Sequence, residues 1–493
     1  MAVPAHSRWL FLFAAALLLI GAAFLRYRQI DRRTFHADEA VQAYQTWQLL
    51  RGDGYTYDPA DKHGPFLYYA AAGLAKISGR SVATLSPKGF RAVTLLAGLG
   101  TIALILGAAV RLGRAEVLIG AALLGTAPIA VIYDTYFVQE AWFCFFTWAL
   151  FFAVQRWMER PGLFGALLIG ALAGLMQATK ETSIIHFAAL GVALVFSASR
   201  ARPLGTPNDS RGGPSGTARP LIPCLLAALG ASVAVYILFY SAFFTHWVGV
   251  VDGVRAYFNY TARASGSAHD QPWYYYFAML WPHIRGGVGW GEPLLLVMAL
   301  VGVNFAFSSR ANAAQRALAV FTVTLLLLYS FIPYKTPWLL LTPYVGLTLL
   351  AGLGATHCAG WLPPRLARFM PVVFCLALLL ECGWRDRSAL GRYANDDRNP
   401  YIYQPTSPDL SRLVTVIAAL PAGWKIAVIS PDHAWPLPWY LRDRRATGYF
   451  TTAPANISDY DLVLFDSRLD VPTPIAATIY GLRPNVILWH TTQ

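Results

Sequence analysis

Residues 92–133 read AVTLLAGLGTIALILGAAVRLGRAEVLIGAALLGTAPIAVIY. Two apolar runs, 92–110 and 117–133, flank a short segment that carries Arg111 and Arg114. Each run is close to the length of about 20 residues that a helix needs to cross the hydrocarbon layer of a bilayer. The stretch therefore predicts two membrane-spanning helices joined by a short basic loop.

The same pattern recurs through most of the chain. Of its 493 residues, 56% are hydrophobic and only 13% are charged, a composition that excludes an ordinary water-soluble domain. We predict eleven spans, near residues 9–25, 92–110, 117–133, 141–154, 163–179, 183–197, 222–244, 292–307, 317–332, 338–355 and 369–384. The predicted fold class is thus a polytopic α-helical membrane protein.

The loop arginines predict how the chain is oriented, because Lys and Arg accumulate on the cytoplasmic side. They fall in every second loop: Arg111 and Arg114, Arg156 and Arg160, Arg200, Arg202, Arg211 and Arg219, Arg310 and Arg316, and Arg365 and Arg368. The N-terminus is therefore predicted to be cytoplasmic and the C-terminus extracytoplasmic. One signal favours the opposite orientation, namely the arginines after the first span: Arg26, Arg28, Arg32 and Arg33. We give more weight to the five later loops, which agree with each other. Because that span's apolar run is long for a signal peptide, we predict a retained anchor.

Charge and cysteine content exclude two other classes of function. The net charge of +13 is spread in large part over cytoplasmic loops, so membrane orientation and anionic lipid account for it without nucleic acid. The cysteines show no metal-type spacing: Cys144, Cys224, Cys358, Cys375 and Cys382. The sequence therefore predicts neither a disulfide framework nor a zinc site.

Composition divides the chain twice. Residues 198–220 are rich in Gly, Pro, Ser and Arg and predict a flexible cytoplasmic loop. Beyond residue 385 the apolar runs shorten to three β-type runs and one stretch of helical spacing: Lys425–Ser430, Leu462–Asp466, Val486–His490 and Ser411–Leu420. We predict a membrane domain over 1–384, whose first outer loop is 26–91, and a small extracytoplasmic α/β domain over 385–493.

Under this topology, the unusual ionisable residues converge on the outer face. They are Asp38, Glu39, Lys62 and His63 in the first loop, Glu140, Lys180 and Glu181 at later span ends, Asp270 in a long loop, and Lys335 between two spans. Ionisable groups beside hydrocarbon are costly, so a functional site is the leading hypothesis.

Each of these features also has a purely structural interpretation. Asp38 and Glu39 are suited to open a helix, since carboxylates are favoured at helix N-termini. Lys335 could extend to the headgroups. Glu140, Lys180 and Glu181 could be solvated or paired with each other, and His63 could be an ordinary loop histidine. Trp273, Tyr274 and Trp338 fit an interfacial aromatic belt.

Several motifs resemble a prokaryotic membrane family described as flippase-activity-associated. They are Phe35-His36-Ala37-Asp38-Glu39-Ala40, His63-Gly64-Pro65-Phe66-Leu67-Tyr68-Tyr69, Ala178-Thr179-Lys180-Glu181-Thr182, Gln271-Pro272-Trp273-Tyr274-Tyr275-Tyr276, Ile332-Pro333-Tyr334-Lys335-Thr336-Pro337-Trp338, and in the tail Asn399-Pro400-Tyr401, Thr406-Ser407-Pro408-Asp409 and Trp435-Pro436-Leu437-Pro438-Trp439-Tyr440-Leu441-Arg442. That family is related to the dolichyl-phosphate-mannose protein mannosyltransferases and the aminoarabinose transferases, glycosyltransferases of the C superfamily (GT-C).

The resemblance implies a sugar transferase with a polyprenyl-phosphate donor in the cytoplasmic membrane of a prokaryote. It implies that Asp38 is the general base on the acceptor, that Glu39 accompanies it, and that Glu140 approximates a second acidic position. The relatives' cationic-proline motif resembles Lys62-His63-Gly64-Pro65, with an inserted glycine. Lys62, His63 and Lys335 are the candidates to bind the donor phosphate, and Tyr68, Tyr69, Trp273, Tyr274 and Trp338 the candidates to line a lipid groove.

The predicted reaction is an inverting displacement at the anomeric carbon, with a protein, lipid or glycan as acceptor. No cofactor is required, and a divalent metal bound by two carboxylates is a variant. The alternative is a non-catalytic partner in the flipping or assembly of lipid-linked glycans, which would keep the groove and tolerate loss of Asp38. A secondary transporter is disfavoured, because the charged residues cluster at one surface and not at the bilayer midplane.

Overall fold

The computed structural model describes residues 5–60, 63–80, 84–199, 221–263, 269–367, 369–432, 434–469, 478–483 and 486–492. The first ten helices are α1 (Ala5–Gln29), α2 (Ala37–Arg51), α3 (Phe66–Ile77), α4 (Pro87–Gly107), α5 (Ala109–Leu112), α6 (Arg114–Thr126), α7 (Pro128–Asp134), α8 (Glu140–Glu159), α9 (Leu163–Thr179) and α10 (Ser183–Ser199). The next ten are α11 (Leu221–Tyr240), α12 (Val248–Arg263), α13 (Tyr275–Leu280), α14 (Pro293–Ala306), α15 (Ala313–Phe331), α16 (Leu341–Ala359), α17 (Pro364–Ala367), α18 (Met370–Asp386), α19 (Asp409–Ala419) and α20 (Leu437–Tyr440). The strands are β1 (His283–Arg285), β2 (Val288–Trp290), β3 (Ile426–Ile429), β4 (Thr447–Phe450), β5 (Leu462–Asp466), β6 (Thr478–Arg483) and β7 (Val486–Thr492).

The chain is a multi-pass helical membrane protein, as the sequence predicted. Within the described residues, five helices are long and apolar enough to span a membrane: Ser7–Gln29, Pro87–Gly107, Leu221–Tyr240, Ala313–Phe331 and Pro337–Ala359. The bent pair α6 and α7 adds a sixth, and four further apolar helices are shorter. Each of the eleven predicted apolar runs coincides with a helix. The predicted number of spans is not confirmed, because several of these helices are too short to cross unaided.

The span formed by α6 and α7 is broken at Pro128, and the buried side chain of Arg26 binds the carbonyl groups at the break. Pro128 has no N–H to give to the carbonyl of Leu124, and α6 and α7 meet at an angle of 65°. Arg26 of α1 donates to Leu124 O at 3.3 Å and Gly125 O at 2.8 Å, and its Nε lies 2.7 Å from Asp134 Oδ2. Arg26 is therefore an internal residue and not a loop charge, which accounts for one of the arginines that opposed the predicted orientation.

The C-terminal strands form a mixed five-stranded sheet in the order β4-β3-β5-β7-β6. β3 is parallel to β4 and β5, whereas β7 is antiparallel to both β5 and β6. α19 packs its buried Leu413 and Ile417 against Ile426 of β3 and Leu462 of β5. The predicted small α/β unit is confirmed in character, and the sheet adds β4 and β6, which the sequence did not predict.

This sheet is attached to the segment that follows the first span. The indole of Trp439 in α20 is 1% exposed and packs against the rings of Phe35 and Phe90, with centroids 5.9 and 5.3 Å away. The backbone N–H of Thr34 donates to Asn395 Oδ1 at 3.2 Å. The C-terminal part of the chain is therefore packed directly on α2 and on the residues that precede it.

Candidate active site

His36 begins the candidate site as the N-cap of α2. Its Nδ1 accepts the N–H of Asp38 at 3.1 Å, and its Nε2 lies 2.9 Å from the carbonyl oxygen of Tyr403. A backbone N–H can only donate and a carbonyl can only accept, so the proton is on Nε2 and the ring is neutral. The 3.7 Å separation between His36 Nδ1 and Asp38 Oδ2 is consequently not an ion pair.

Glu39 is a fully buried anchor for the same helix turn. Arg91 Nε and Nη2 lie 2.7 and 2.6 Å from its two oxygens, and the N–H groups of His36 and Phe137 donate to them at 3.0 and 2.9 Å. Burial alone would raise the pKa of this carboxyl, but the charge and hydrogen bonds of Arg91 outweigh it, and the pKa is lowered. Glu39 is therefore held as an anion with both of its oxygens occupied.

Asp38 is the contrasting neighbour, because its side chain is 47% exposed. Among the described residues, no side chain or backbone N–H donates a hydrogen bond to its carboxylate. His36 Nδ1 lies 3.7 Å from its Oδ2, and the ring of His36 packs against that of Tyr136 with centroids 5.3 Å apart. The charge of Asp38 also contributes to the raised pKa of Tyr403 and opposes the lowered pKa of His269 and of Arg483. Asp38 is thus an available carboxylate at the centre of a polar, aromatic site.

Two loops, one with His269 and one with Lys335, meet through a short antiparallel pairing. Lys335 N–H donates to His269 O, and Gln271 N–H donates to Pro333 O, each at 3.0 Å. The hydroxyl of Tyr403 lies 2.5 Å from His269 Nδ1. Burial lowers the pKa of His269, against the attraction of Asp38, and burial raises the pKa of Tyr403 to about 12. Both groups are therefore neutral near pH 7.

Lys335, a predicted phosphate ligand, lies in this corner but is not extended toward solvent. The residue is 2% exposed, and its Nζ donates to Gln271 O at 3.0 Å and Ile332 O at 2.5 Å. Burial lowers the pKa of its ammonium group, and Asp270 opposes that shift. Since an ammonium has three donors, and the described residues accept from two of them, one N–H is left for a ligand.

Glu140 and Lys180 form a buried ion pair where α8 begins and α9 ends. The pairing of these span-end residues with each other is one of the structural interpretations that the sequence left open. Gln139 Nε2 donates to Gln42 Oε1 at 3.1 Å, and Gln42 lies one helical turn after Asp38 on the same face of α2. The structure therefore brings the predicted second acidic position close to the helix that carries Asp38.

Glu181 has different partners from Lys180. Tyr57 Oη donates to one of its oxygens at 2.9 Å, and His63 Nδ1 lies 3.1 Å from the other. The segment between α2 and α3 comes so close here that a Cβ on Gly64 would collide with the carbonyl of Ala178. This close approach gives a physical reason for the glycine inserted in the cationic-proline motif. Lys62 lies outside the described residues.

The predicted groove aromatics separate into two groups. Tyr68 is buried and donates to Gln42 Oε1 at 2.5 Å, and Trp338 packs against Tyr403 with ring centroids 5.5 Å apart. These two lie beside the site. Tyr69 packs against Phe243, whose ring centroid is 4.7 Å away, while Trp273 and Tyr274 are 62% and 50% exposed. The last pair has the exposure expected of an interfacial belt.

Three residues of the site were missed by sequence reasoning. Arg91 was predicted to be the last residue of the first outer loop, and its buried position beside Glu39 follows from tertiary packing alone. Tyr403 and Arg483 lie in the C-terminal region, where no motif distinguished them. One feature of the sequence could have identified Arg91: it is a single arginine directly before an apolar run. A charge beside hydrocarbon is energetically unfavourable, so such an arginine is expected to have an acidic partner.

No group of three or more His, Cys, Asp and Glu side chains in the described part of the chain is arranged to hold a metal ion. The carboxylates of Glu39 and Glu140 are each bound by a cationic side chain instead.

No family model matches the sequence, and no curated protein matches it either. Solved structures do match the fold. ArnT from Cupriavidus metallidurans bound to undecaprenyl phosphate aligns with a TM-score of 0.62 at 14% identity, over 99% of this chain and 98% of ArnT. The archaeal oligosaccharyltransferase AglB from Archaeoglobus fulgidus, in complex with an inhibitory peptide and a dolichol-phosphate, aligns with a TM-score of 0.57 at 12% identity, over 94% of this chain and 70% of AglB.

These neighbours are members of the GT-C superfamily, and the chain has the GT-C fold. The match to ArnT runs over nearly the whole length of both proteins and so includes the C-terminal part. The fold implied by the sequence motifs is thereby confirmed.

Proposed function

We propose that this protein is a membrane glycosyltransferase that moves a sugar from a polyprenyl-phosphate donor to an acceptor at the extracytoplasmic face. The GT-C fold supports the general kind of reaction, since the aligned ArnT and AglB structures hold undecaprenyl phosphate and a dolichol-phosphate. The acceptor is a hydroxyl or amine of a protein, lipid or glycan.

One observation carries the proposal. Of the three predicted catalytic carboxylates, Glu39 and Glu140 are buried and bound by Arg91 and Lys180, whereas Asp38 is half exposed. A general base must reach the proton that it removes. Asp38 is therefore the base, and Glu39 is a positioning residue that fixes the first turn of α2 through Arg91.

The displacement has a simple balance of atoms and charge. The acceptor oxygen or nitrogen attacks the anomeric carbon and forms the new bond while its proton passes to the Asp38 carboxylate. The bond from the anomeric carbon to the phosphate oxygen breaks on the opposite face, so the configuration inverts. The phosphate leaves on the polyprenyl lipid with added negative charge, which fixed cations stabilise. Lys62, His63 and Lys335 are the proposed cations.

The donor lipid is proposed to pass along the predicted groove aromatics. Trp338 is the member whose position supports this, since its ring lies against Tyr403 at the site while its backbone begins the span Pro337–Ala359. A lipid lying along this span would bring its phosphate to the loop that carries Lys335. Tyr68, Tyr69, Trp273 and Tyr274 are the further proposed contacts.

The orientation follows from the loop arginines, with the N-terminus in the cytoplasm and the C-terminal sheet outside. Reporter fusions after Arg202 and Arg365 should give cytoplasmic signals, and a fusion after Gln493 should give an extracytoplasmic one. A cytoplasmic signal at Gln493 would place Asp38 on the wrong side for this reaction and overturn the proposal.

The decisive variant is Asp38→Asn, which removes the base and keeps the shape. Loss of one general base costs about 100-fold to 10,000-fold in rate. Turnover would be measured with purified protein, a polyprenyl-phosphate sugar and membrane acceptors, and lipid-linked glycans of a deletion strain would be compared by mass spectrometry.

Asp31→Asn is the matched control, because Asp31 lies in the same segment and makes an exposed ion pair with Lys88 at 3.3 Å. Exposed pairs contribute little, so this variant should turn over like the parent. Full activity of Asp38→Asn would refute the assigned role. Complementation of the deletion by Asp38→Asn, without turnover by either protein, would instead identify a non-catalytic partner in lipid-linked glycan handling.

A further inference from the structure

A cavity of about 180 Å³ lies between α8, α10 and α15. Gln155 of α8 lines it, fifteen residues after Glu140, where the same helix begins at the candidate active site; this is about 22 Å along a helix axis. Most of the wall is apolar, from side chains such as Phe151, Val154 and Leu194. A cavity needs only about 10–15 Å³ to hold one water. The cavity is therefore separate from the candidate active site and accommodates a much larger group than a water.

Gln155 is a buried polar side chain of this cavity without a protein partner. The residue is 9% exposed, and within the described part of the chain neither its Oε1 nor its Nε2 has a hydrogen-bond partner. A buried polar group without a partner is unfavourable, and native proteins hydrogen-bond the large majority of such groups. A carboxamide offers two N–H donors and an acceptor oxygen. Gln155 therefore indicates a ligand that has polar atoms of its own at this depth.

The first turn of α15 supplies further polar groups. Ala313 and Ala314 are the first two residues of this helix, and both line the cavity. The N-cap side chain of Asn312 accepts the N–H of Gln315 at 2.9 Å, but among the described residues the N–H groups of Ala313 and Ala314 have no acceptor. Free N–H groups and the helix dipole make this end of a helix favourable for an anion. The first turn of α15 and Gln155 thus offer hydrogen-bond donors to one ligand.

The surrounding charge is also complementary to an anion. Six arginines and two glutamates, a net charge of +4, lie in three segments that meet at this end of the helices: 111–116, 156–160 and 310–316. Asn312 Nδ2 donates to Arg111 O at 2.8 Å, and Arg111 in turn binds Glu159. Glu159 also lines the cavity, but Arg111 donates to both of its oxygens, at 3.0 and 2.7 Å, and balances its charge. Basic pockets between membrane spans bind the headgroups of anionic lipids.

We propose that this cavity binds one anionic phospholipid from the leaflet opposite the candidate active site. The lipid phosphate accepts hydrogen bonds from the first turn of α15, and an ester carbonyl of the glycerol backbone accepts from Gln155 Nε2. An acyl chain lies along the apolar wall. The loop arginines predict that this leaflet is the cytoplasmic one. The proposal is independent of the proposed function, because none of these residues takes part in the sugar transfer.

The test counts bound lipids by native mass spectrometry of the purified protein in detergent. Dioleoyl-phosphatidylglycerol and dioleoyl-phosphatidylcholine are titrated separately, so that the headgroup differs and the chains do not. One phosphatidylglycerol should bind at least about fivefold more tightly than phosphatidylcholine, the factor that one basic side chain contributes near an anionic lipid. Equal binding of the two lipids would overturn the proposal. So would displacement of the lipid by excess inorganic phosphate, which would identify a site for free phosphate.

Gln155→Met tests the buried amide, because it removes the polar atoms and keeps a side chain of similar length. The affinity for phosphatidylglycerol should fall about twofold to tenfold, the effect of one lost hydrogen bond. In detergent without added lipid, the Tm of this variant should equal or exceed that of the parent, since the change removes a buried polar group that has no protein partner. An unchanged affinity, or a lowered Tm without lipid, would refute the assigned role of Gln155.

Ala313→Pro tests the first turn of α15. Proline has no N–H but is tolerated at the first position of a helix, and Asn312 before it already has an extended backbone, with φ −85° and ψ 172°. This variant should also bind phosphatidylglycerol about twofold to tenfold more weakly.

Leu163→Pro is the matched control for Ala313→Pro. Leu163 is the first residue of α9, its N-cap Gly162 is likewise extended, and it is not among the residues that line this cavity. It should therefore bind phosphatidylglycerol like the parent. Equal losses of affinity in the two proline variants, or no loss in Ala313→Pro, would overturn the proposed phosphate position.

Discussion

Arg91→Met should destabilise the protein strongly, because Arg91 neutralises a carboxylate with no access to water. Glu39 is 0% exposed and Arg91 is 1% exposed, and two hydrogen bonds of 2.7 and 2.6 Å join them. Arg91 also donates to the carbonyl oxygens of Ile30, Arg33 and Thr34, at 2.8, 2.9 and 3.3 Å. One side chain thus holds the chain between α1 and α2 onto α4.

The magnitude follows from what the substitution leaves behind. Removing one partner of a buried ion pair typically costs about 3–5 kcal/mol, because the other charge stays buried and unpaired. Each buried carbonyl that loses its only donor adds about 1–3 kcal/mol. The expected loss is therefore at least about 3–5 kcal/mol, a large fraction of the stability of a typical folded domain.

Arg111→Met is the matched control for this experiment. Arg111 contacts Glu159 with the same two-point geometry, at 3.0 and 2.7 Å, but the Glu159 side chain is 52% exposed. Exposed pairs contribute about 0–1 kcal/mol. The two variants thus remove the same side chain from the same kind of partner, and they differ in burial and in the three backbone carbonyls that the Arg91 side chain also binds.

The assay is the apparent Tm of purified protein in detergent, read from the fraction that stays monodisperse after heating. Arg91→Met should lower the Tm by several degrees, and Arg111→Met should change it little. The double variant Glu39→Gln with Arg91→Met should recover part of the loss, since it leaves no unpaired charge. Equal Tm values for Arg91→Met and Arg111→Met would refute the view that the buried pair holds the segment between α1 and α2 in place.

Three further outcomes are expected. Lys335→Gln should raise the donor KM or slow turnover at least about tenfold, equivalent to ~1.4 kcal/mol, with Lys335→Arg recovering only part; an unchanged donor KM with a lowered Tm would show that Lys335 only joins the loops. Because burial lowers the pKa of His269, its hydrogen bond with Tyr403 is fully present above the unfolded pKa of about 6.5 and is lost as pH falls through the folded value. The pH–rate profile of Tyr403→Phe should therefore differ from the parent profile on the acid side, and superimposable profiles would contradict this. Glu140→Gln should lower the Tm more than Glu140→Gln combined with Lys180→Met, as measured by the same heating assay, because only the single variant leaves a buried charge unpaired.

The positions of the apolar helices that match the eleven predicted runs were predictable, because each depends on a local apolar run. The predicted run 163–179 has the same bounds as α9, and the run 317–332 ends one residue after the end of α15. Span number was not predictable to the same degree, since a run that is long enough in sequence can be bent, as at Pro128. The strands β4 and β6 escaped prediction for a related reason: β4 is four residues long and only half buried, and β6 is irregular at Gly481.

The candidate site was predictable in part. The sequence analysis singled out Asp38 and Glu39 together, but nothing in two adjacent acidic residues says which one is buried. Successive residues of a helix point about 100° apart, so the first turn of α2 can present one carboxylate to Arg91 and the other to the outer loops. Only the partners decide, and Arg91 is 52 residues from Glu39 in the sequence. The contact between His36 and Tyr403 spans 367 residues, beyond the reach of any local pattern.

The two carboxylates at the start of α2 therefore have complementary tasks. The carboxylate of Glu39 is bound inside the protein by Arg91 and by two backbone N–H groups, which fix its position. The Asp38 carboxylate has no direct hydrogen-bond donor among the described residues, and its side chain is 47% exposed. A base that must take up and release a proton needs this second environment, because a direct ion pair would hold it permanently ionised. In the proposed mechanism, the fixed contacts of Glu39 position Asp38, and the exposure of the Asp38 carboxylate lets it reach the proton of the acceptor.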